Sequence, residues 1–243
     1  AASGELASVL LLCGDSCSCV PLSCVFFLRL RRPPRSTLFP CPALSRAAHA
    51  REMGKDPDRE PPFFFTKPAD AVVESGVPVP YPPQTSNLHF EGELVVAIGR
   101  GGSRVTEDDA LDHVWGYAVG NDLTRRDMQA EAKTMGRPWD MAKGFDHSAV
   151  IGPIRAAKDV GHLAEGPIQT QVNGEVKQDA DLHELIWSVP EVVSFLSDTI
   201  VLCEGDLIMT GTPAGVGALQ SGDTCTVAIE GLGEISTTIV DPV

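Results

Sequence analysis

Short apolar runs separated by glycine, asparagine and proline turns dominate the chain from about residue 46 to its C-terminus. The segment 89–99 predicts a buried strand, and Asn173-Gly174 between two alternating segments is the strongest hairpin signal in the chain. Helical signals are brief, and the clearest of them is a capping box that starts at Ser188. The pattern therefore predicts a mixed fold dominated by β-strands, with a few short helices and no internal repeat.

The first 45 residues differ in composition from the rest of the chain. Up to residue 51 there are six arginines and two acidic side chains, and five of the seven cysteines lie before residue 42. Polar residues break the two apolar runs, which argues against a membrane span, and a secretory signal would need a basic start. A mitochondrial transit segment and a mistranslated or disordered extension both fit this stretch. We therefore expect an irregular leader over 1–45 and one catalytic or binding domain over 46–243.

The net charge of −14 limits the ligands that the protein can bind. Nucleic acid is disfavoured, because phosphate binding depends on clustered lysine and arginine side chains. An anionic small molecule would need a local positive site, which a metal ion could supply.

Glu91 and Glu93 introduce an electrostatic conflict at the head of the strand predicted over 89–99. Side chains alternate faces along a strand, so both carboxylates point the same way while apolar residues cover the opposite face. Two carboxylates about 4 Å apart repel by roughly 4 kcal/mol at an effective dielectric constant near 20. A divalent cation would relieve this repulsion; alternatively, both glutamates lie at an exposed strand end. The strand alone leaves both interpretations open.

Asp122 supplies a third carboxylate. It ends a predicted strand whose inner residues are small, namely Gly116, Ala118 and Gly120, so that another strand or a ligand can approach closely. Three carboxylates without a set of cysteines or histidines favour Mg2+ or Mn2+ over zinc, and Ca2+ is also compatible. Taken alone, Asp122 would be an ordinary turn residue, but beside the two glutamates it strengthens the prediction of a metal site.

Five longer segments share a resemblance: HAREMG, EPPFFFTKPADAV, NLHFEGELVVAIG, GYAVGNDLTRRDMQAEAKTMGRPWDMAKGFDHSAVIGPI and GDLIMTGTPAGVG. Together they resemble the fumarylacetoacetate hydrolase family, and in particular its branch of fumarylpyruvate hydrolases and acylpyruvases. The resemblance runs from about residue 49 to the C-terminus, whereas the residues before 46 resemble nothing in the family. It implies an α+β, β-dominated fold: a mixed β-sandwich roll of the family's C-terminal-domain type.

The resemblance also implies which side chains bind the metal and the substrate. The metal would be held by Glu91, Glu93 and Asp122. The substrate would be bound by Arg126, Gln129, Lys143 and Thr212.

A catalytic set follows from the same resemblance. His49 and Glu52, one helical turn apart, match the family's water-activating pair. His49, oriented by Glu52, would take a proton from water, and Lys143 would stabilise the oxyanion. The sequence departs from the family just before this pair, because Leu-Ser-Arg stands at 44–46 where family members carry Arg-Asn-Tyr.

Each of these side chains also has an ordinary structural explanation. Lys143 would be a solvated surface lysine, and His49 with Glu52 would be a pair on the surface of a helix. The GTPAGVG segment around Thr212 lacks the lysine of a Walker loop and would be a tight turn between strands. The combination of these residues, rather than any one of them, favours a functional site.

The activity implied by the resemblance is metal-dependent hydrolysis of a carbon–carbon bond in a 2,4-diketo acid, with fumarylpyruvate, an intermediate of gentisate breakdown, as the favoured substrate. Alternatives are an oxaloacetate decarboxylase, a keto-diacid isomerase, or a non-catalytic relative that binds a metal or a keto acid. The expected partners are a small anionic diketo acid and a second copy in a homodimer, with neither nucleic acid nor a membrane. We expect a cytoplasmic location, or a mitochondrial one if the leader is a transit segment.

Overall fold

Three β-sheets form the framework of the protein in the computed structural model, which describes residues 38–40 and 61–243. The strands of this part are β1 Leu38–Pro40, β2 Val72–Glu74, β3 Val79–Pro80, β4 Leu88–Phe90, β5 Gly92–Ile98, β6 Val114–Asp122, β7 Thr124–Arg125, β8 Ala149–Ile151, β9 Arg155–Ala156, β10 Pro167–Val172, β11 Glu175–Asp181, β12 Leu207–Met209, β13 Gly217–Leu219, β14 Thr224–Ile229 and β15 Gly233–Val240. The α-helices are α1 Glu107–Ala110, α2 Arg126–Thr134, α3 Asp140–Lys143, α4 Ala157–Val160 and α5 Val189–Thr199, and short 3-10 turns cover Ala69–Ala71, Leu111–His113 and Leu182–Glu184.

The largest sheet is mixed and has seven strands. Its order is β1-β12-β5-β6-β8-β2, with β9 paired to β6 outside this path. The pairs β1–β12 and β2–β8 are parallel, whereas β5 is antiparallel to both β12 and β6. A five-stranded sheet, β11-β10-β14-β15-β3, and a three-stranded sheet, β13-β4-β7, complete the framework. The prediction of a β-dominated α+β fold with short helices is confirmed.

The central strand β5 is covered on both faces. All seven of its residues are buried. Leu94 and Val96 belong to the main apolar core shared with the five-stranded sheet, while Val95 packs in a second cluster with Met209. This double burial explains why an almost continuous apolar run, rather than strict alternation, follows the two glutamates.

Local signals in the sequence form the predicted turns and caps. Asn173 and Gly174 both have positive φ, 52° and 82°, as the two-residue turn between β10 and β11 requires. The Ser188 side chain accepts from the backbone of Glu191 and starts α5, so the predicted capping box is confirmed. Among the described residues, no helix is long and apolar enough to cross a membrane.

The N-terminal strand β1 lies before residue 46. Its three residues pair in parallel with Leu207–Met209 of β12. The seven-stranded sheet thus includes chain on the leader side of the boundary expected from the sequence, and that boundary stays a prediction.

Candidate metal centre

The pairing of β5 with β6 brings the three predicted metal ligands together. Gly92 is opposite Asn121 in this ladder, and the backbone N–H of Asp122 donates to the carbonyl oxygen of Glu91 at 2.8 Å. One carboxylate oxygen from each of Glu91, Glu93 and Asp122 lies within 4.8 Å of the others, and each side chain is 1% exposed. The alternative that both glutamates lie at an exposed strand end is therefore wrong.

A glycine between the two glutamates is required by the packing. A Cβ atom on Gly92 would lie 2.3 Å from Thr170 Oγ1 and 2.9 Å from Val227 Cγ1. The strand consequently touches the five-stranded sheet at the position between the two carboxylates, which fixes their backbone.

Glu93 has the electrostatic signature of a carboxylate that needs a cation. Burial, followed by repulsion from Asp122 and Glu91, raises the pKa of Glu93 well above its ordinary value. Its Oε2 accepts from the backbone N–H of Gly211 at 2.7 Å, whereas its Oε1 is buried and has no hydrogen-bond partner among the described residues. A hard divalent cation fits this set, because it would satisfy the remaining oxygen and offset the repulsion.

Lys143 is buried in the site. It ends α3 and is 1% exposed, so the surface-lysine alternative is wrong. Its Nζ donates to Glu91 Oε2 at 2.8 Å and to Asp122 Oδ2 at 2.7 Å. Burial alone would lower the pKa of Lys143, but the attraction of Asp122 and Glu91 outweighs burial and raises that pKa. The lysine is therefore held as an ammonium beside the predicted metal ligands.

The first turn of α2 brings Arg126 to Glu91 and holds Gln129 beside Arg126. Arg126 Nη2 contacts Glu91 Oε1 at 2.5 Å, and Arg126 Nη1 donates to Gln129 Oε1 at 2.6 Å. Gln129 is 4% exposed. Because residues three apart share a helix face, one face of α2 lines the site.

Thr212 reaches the site from the loop after β12. Its predecessor Gly211 donates to Glu93, and the Thr212 side chain is fully buried. The structure therefore brings together all seven predicted residues that lie in its described part. His49 and Glu52 lie outside the described residues, so their roles stay predictions.

Two buried side chains at the site were missed by the sequence analysis. Lys67 Nζ is 2.7 Å from Asp122 Oδ1, and Gln178 donates to Thr212 Oγ1 at 2.8 Å. Lys67 lies within one of the segments that carry the family resemblance, and an inward-facing polar residue in a hairpin strand was the available signal for Gln178.

Comparison with known proteins agrees with this geometry. The family model described as "Fumarylacetoacetate (FAA) hydrolase C-terminal" matches residues 40–240. A fumarylpyruvate hydrolase from a Ralstonia species is 47% identical over 189 residues, which are 77% of this chain and 98% of that protein. A mitochondrial oxaloacetate tautomerase from Arabidopsis thaliana is 37% identical over 201 residues, 83% of this chain and 90% of its own.

A solved structure supports the same relationship. The fumarylpyruvate hydrolase from Pseudomonas aeruginosa, determined in complex with Mn2+ and pyruvate, superimposes with a TM-score of 0.81 at 53% sequence identity. The match covers 84% of this chain and 88% of that one.

Proposed function

The chain belongs to the fumarylacetoacetate hydrolase family, and from this premise we propose that it hydrolyses a carbon–carbon bond of a 2,4-diketo acid, with fumarylpyruvate as the substrate. Fumarate and pyruvate are then the products. The observation that carries the proposal is the buried group of Glu91, Glu93 and Asp122, surrounded by cationic side chains that an anionic keto acid would need.

The charge balance of the site supports an anionic substrate. Three carboxylates meet three cationic side chains here: Glu91, Glu93 and Asp122 with Lys67, Lys143 and Arg126. When all of them are ionised their charges cancel, so a bound divalent cation leaves a net charge of +2. That excess matches a dicarboxylate substrate, within a protein whose overall charge is −14.

The metal would be held by Glu91, Glu93 and Asp122, with Mn2+ or Mg2+ as the expected ion. A divalent cation held there would supply Lewis-acid polarisation of the bound keto acid. Around it, the Thr212 hydroxyl receives the substrate carboxylate, and Arg126 holds Gln129 in place through the 2.6 Å hydrogen bond.

Hydrolysis needs an activated water and a stabilised oxyanion. In our proposal His49, oriented by Glu52, removes a proton from water, which attacks the carbonyl carbon distal to the carboxylate. The Lys143 ammonium stabilises the resulting tetrahedral oxyanion. Collapse breaks the carbon–carbon bond and releases the carboxylic acid together with the enolate of pyruvate, which takes up a proton.

An oxaloacetate tautomerase or decarboxylase, or a keto-diacid isomerase, is the second candidate. It is favoured by the 37% identical relative that is named as an oxaloacetate tautomerase. These reactions use the same bound keto acid and enolate but need no activated water. His49→Ala therefore separates the two: it should abolish hydrolysis of fumarylpyruvate while leaving enolisation of oxaloacetate in place.

The test measures pyruvate release from two substrates, in the parent protein and in a variant of one predicted metal ligand. We expect the parent protein to release pyruvate from fumarylpyruvate faster than from acetylpyruvate, only with Mn2+ or Mg2+, and to lose this activity with a chelator. Glu93→Ala should abolish both turnover and Mn2+ binding measured by calorimetry. Glu175→Ala is the matched control, because the Glu175 side chain is 74% exposed on β11. Full turnover in Glu93→Ala would overturn the metal assignment.

Homodimerisation, a place in gentisate breakdown and a cytoplasmic location belong to the same proposal. Homodimerisation and the gentisate context rest on the family resemblance. The cytoplasmic location rests on the composition of the core, and a mitochondrial location is the alternative that the leader suggests.

A further inference from the structure

Gln178 links the strand of the metal ligands to the loop of Thr212. It lies on β11 and is 1% exposed. Its Oε1 accepts from the backbone N–H of Gly92 at 3.1 Å, and its Nε2 donates to Thr212 Oγ1 at 2.8 Å and to the carbonyl oxygen of Pro213 at 2.7 Å. One buried amide thus joins two parts of the chain that are far apart in sequence.

The orientation of this amide is fixed by the chemistry of its partners. A backbone N–H can only donate, and a backbone carbonyl oxygen can only accept. Gly92 must therefore face the oxygen of the Gln178 amide, and Pro213 must face its nitrogen. The flipped amide would place two donors together at Gly92 and two acceptors together at Pro213.

This orientation determines what the Thr212 hydroxyl can do. Because the Gln178 nitrogen donates to it, Thr212 Oγ1 is an acceptor in that bond, and its single hydrogen stays available for another acceptor. Among the described residues, no acceptor for that hydrogen is found. The buried Thr212 hydroxyl, one residue after the Gly211 N–H that binds Glu93, is thus set to donate.

Close backbone packing fixes the positions of Gly92, Gln178 and the Thr212 loop relative to one another. A Cβ atom on Gly215 would lie 2.0 Å from the carbonyl oxygen of Lys177, and Gly215 has a φ of +95°. The Thr212 loop therefore rests directly on the β11 backbone beside Gln178. On the other side, a Cβ atom on Gly92 would lie 3.2 Å from Gln178 Oε1.

We propose that Gln178 is a positioning residue that fixes the Thr212 hydroxyl as a hydrogen-bond donor to the carboxylate of the keto acid. It acts through Thr212 and does not itself touch the substrate. The inference rests on the proposed function for the role of Thr212. It adds the residue that makes the Thr212 hydroxyl a hydrogen-bond donor.

Two substitutions of Gln178 distinguish orientation of the Thr212 hydroxyl from a purely structural role. Gln178→Glu keeps an acceptor for Gly92 but replaces the donor that faces Thr212 by an oxygen, so the hydroxyl turns its hydrogen away from the substrate. Gln178→Met removes all three hydrogen bonds but leaves the hydroxyl free to rotate. A purely structural role makes Met the more harmful change, whereas the proposed role makes Glu the more harmful one for ligand binding.

The measurement is calorimetric binding of pyruvate to the Mn2+-loaded protein. We expect Gln178→Glu to raise the Kd for pyruvate at least about tenfold, as for a lost hydrogen bond to a charged group, and Gln178→Met by only about threefold. The Kd for Mn2+ should stay within about threefold of the parent in both, and thermal unfolding should show Met as the less stable variant.

Repeating both Gln178 substitutions in a Thr212 variant tests whether their effect on pyruvate binding depends on the Thr212 hydroxyl. In Thr212→Val the Kd values of the Glu and Met variants should converge to within about twofold, because the group they act on is gone. Thr212→Ser, which keeps a hydroxyl, should preserve the difference. Convergence supports the inference; a difference that persists in Thr212→Val, or weaker binding by Met than by Glu, overturns it.

Pyruvate binding does not depend on turnover, so this test is separate from that of the proposed function. A parent protein that binds pyruvate but does not cleave fumarylpyruvate would count against hydrolysis and leave the Gln178 measurement intact. A Mn2+-loaded parent that does not bind pyruvate would overturn the role of Gln178.

Discussion

Two buried lysines flank Asp122 and have different partners. Lys143 contacts Asp122 Oδ2 and Glu91, and so faces the predicted metal ligands. Lys67 contacts Asp122 Oδ1 and donates to the backbone carbonyls of Leu123, Lys143 and Ser148. Burial lowers the pKa of Lys67 to about 8 despite the attraction of Asp122. We infer that Lys143 serves the chemistry, while Lys67 fastens the backbone that carries Asp122 and Lys143.

Lys67→Met should therefore destabilise the fold. It would leave Asp122 Oδ1 without its ion-pair partner and three buried carbonyls without their shared donor. Breaking a buried ion pair from one side costs about 3–5 kcal/mol. Urea unfolding measures this loss. Lys177→Met is the control, because its ion pair with Glu175 lies at the surface, where such pairs contribute about 0–1 kcal/mol. A loss below about 1 kcal/mol in Lys67→Met would contradict the role as a fastening residue.

The pair of glutamates predicted as metal ligands could be identified from the sequence, whereas Lys67 could not. Period-two alternation places Glu91 and Glu93 on one face, and the repulsion between them is a physical signal that needs no alignment. Lys67 follows three phenylalanines and a threonine and precedes a proline, so no periodicity indicates which way it points. Its burial depends on carbonyls up to 81 residues away, which only the folded chain brings together.

The helix α2 is held at the site by the side opposite to its functional face. Arg126 contacts Glu91 and Gln129, whereas Asp127 accepts from the Thr85 hydroxyl at 2.6 Å and from the Ser86 backbone N–H at 2.9 Å. Partial burial raises the pKa of Asp127, but these hydrogen bonds and one from Met128 outweigh burial and lower the pKa below its ordinary value of 3.8. The ionised form of Asp127 therefore anchors the helix.

The sign of the pH dependence follows from this depressed pKa. Asp127 contributes stability above the pKa of the unfolded chain, and that contribution is lost as pH falls through the lower pKa of the folded state. Asp127→Asn should lower the free energy of unfolding at pH 7 by about 0.5–1.5 kcal/mol, the range for one hydrogen bond, because an amide nitrogen cannot accept from the Ser86 N–H. The difference from the parent should shrink below about pH 4.

Urea unfolding at pH 7 and at pH 3 checks this expectation. The control is Asp159→Asn, since Asp159 is exposed on α4. A difference between parent and Asp127→Asn that stays constant between the two pH values would show that the charge of Asp127 has no part in holding α2.

Elements with a local signal were predictable, and elements made by distant pairing were not. The hairpin at Asn173-Gly174 and the capping box of α5 are each determined by four consecutive residues or fewer. By contrast, β4, β7 and β13 have two or three residues each, too few for any periodicity, and they form a sheet only because β4 pairs with both others. In that small sheet β4, which leads into β5, pairs with β7, which leads into α2. The position of Arg126 could therefore be inferred only through the family resemblance.

Elements from across the molecule contribute charged side chains to one buried cluster. The carboxylates come from β5, the residue before it and the end of β6. Glu93 is bound by the loop after β12, and the cations come from α2, α3 and the segment before β2. A metal ion at this point would connect elements of the large sheet that are distant in sequence. Since the unfolded chain cannot assemble these ligands, binding of the metal is also stabilisation of the native state.

Addition and removal of the metal should therefore shift the thermal unfolding of the protein. At a free Mn2+ concentration of 100 times Kd the native state gains about 2.7 kcal/mol, which corresponds to a rise in Tm of roughly 5–11 °C for a chain of this size. A chelator should reverse the rise, as measured by calorimetric scans with and without EDTA. Glu93→Ala should show no response to Mn2+, whereas Glu175→Ala should respond like the parent. An equal Mn2+ shift in Glu93→Ala would place the stabilising ion elsewhere in the protein and would separate metal binding from the buried carboxylates.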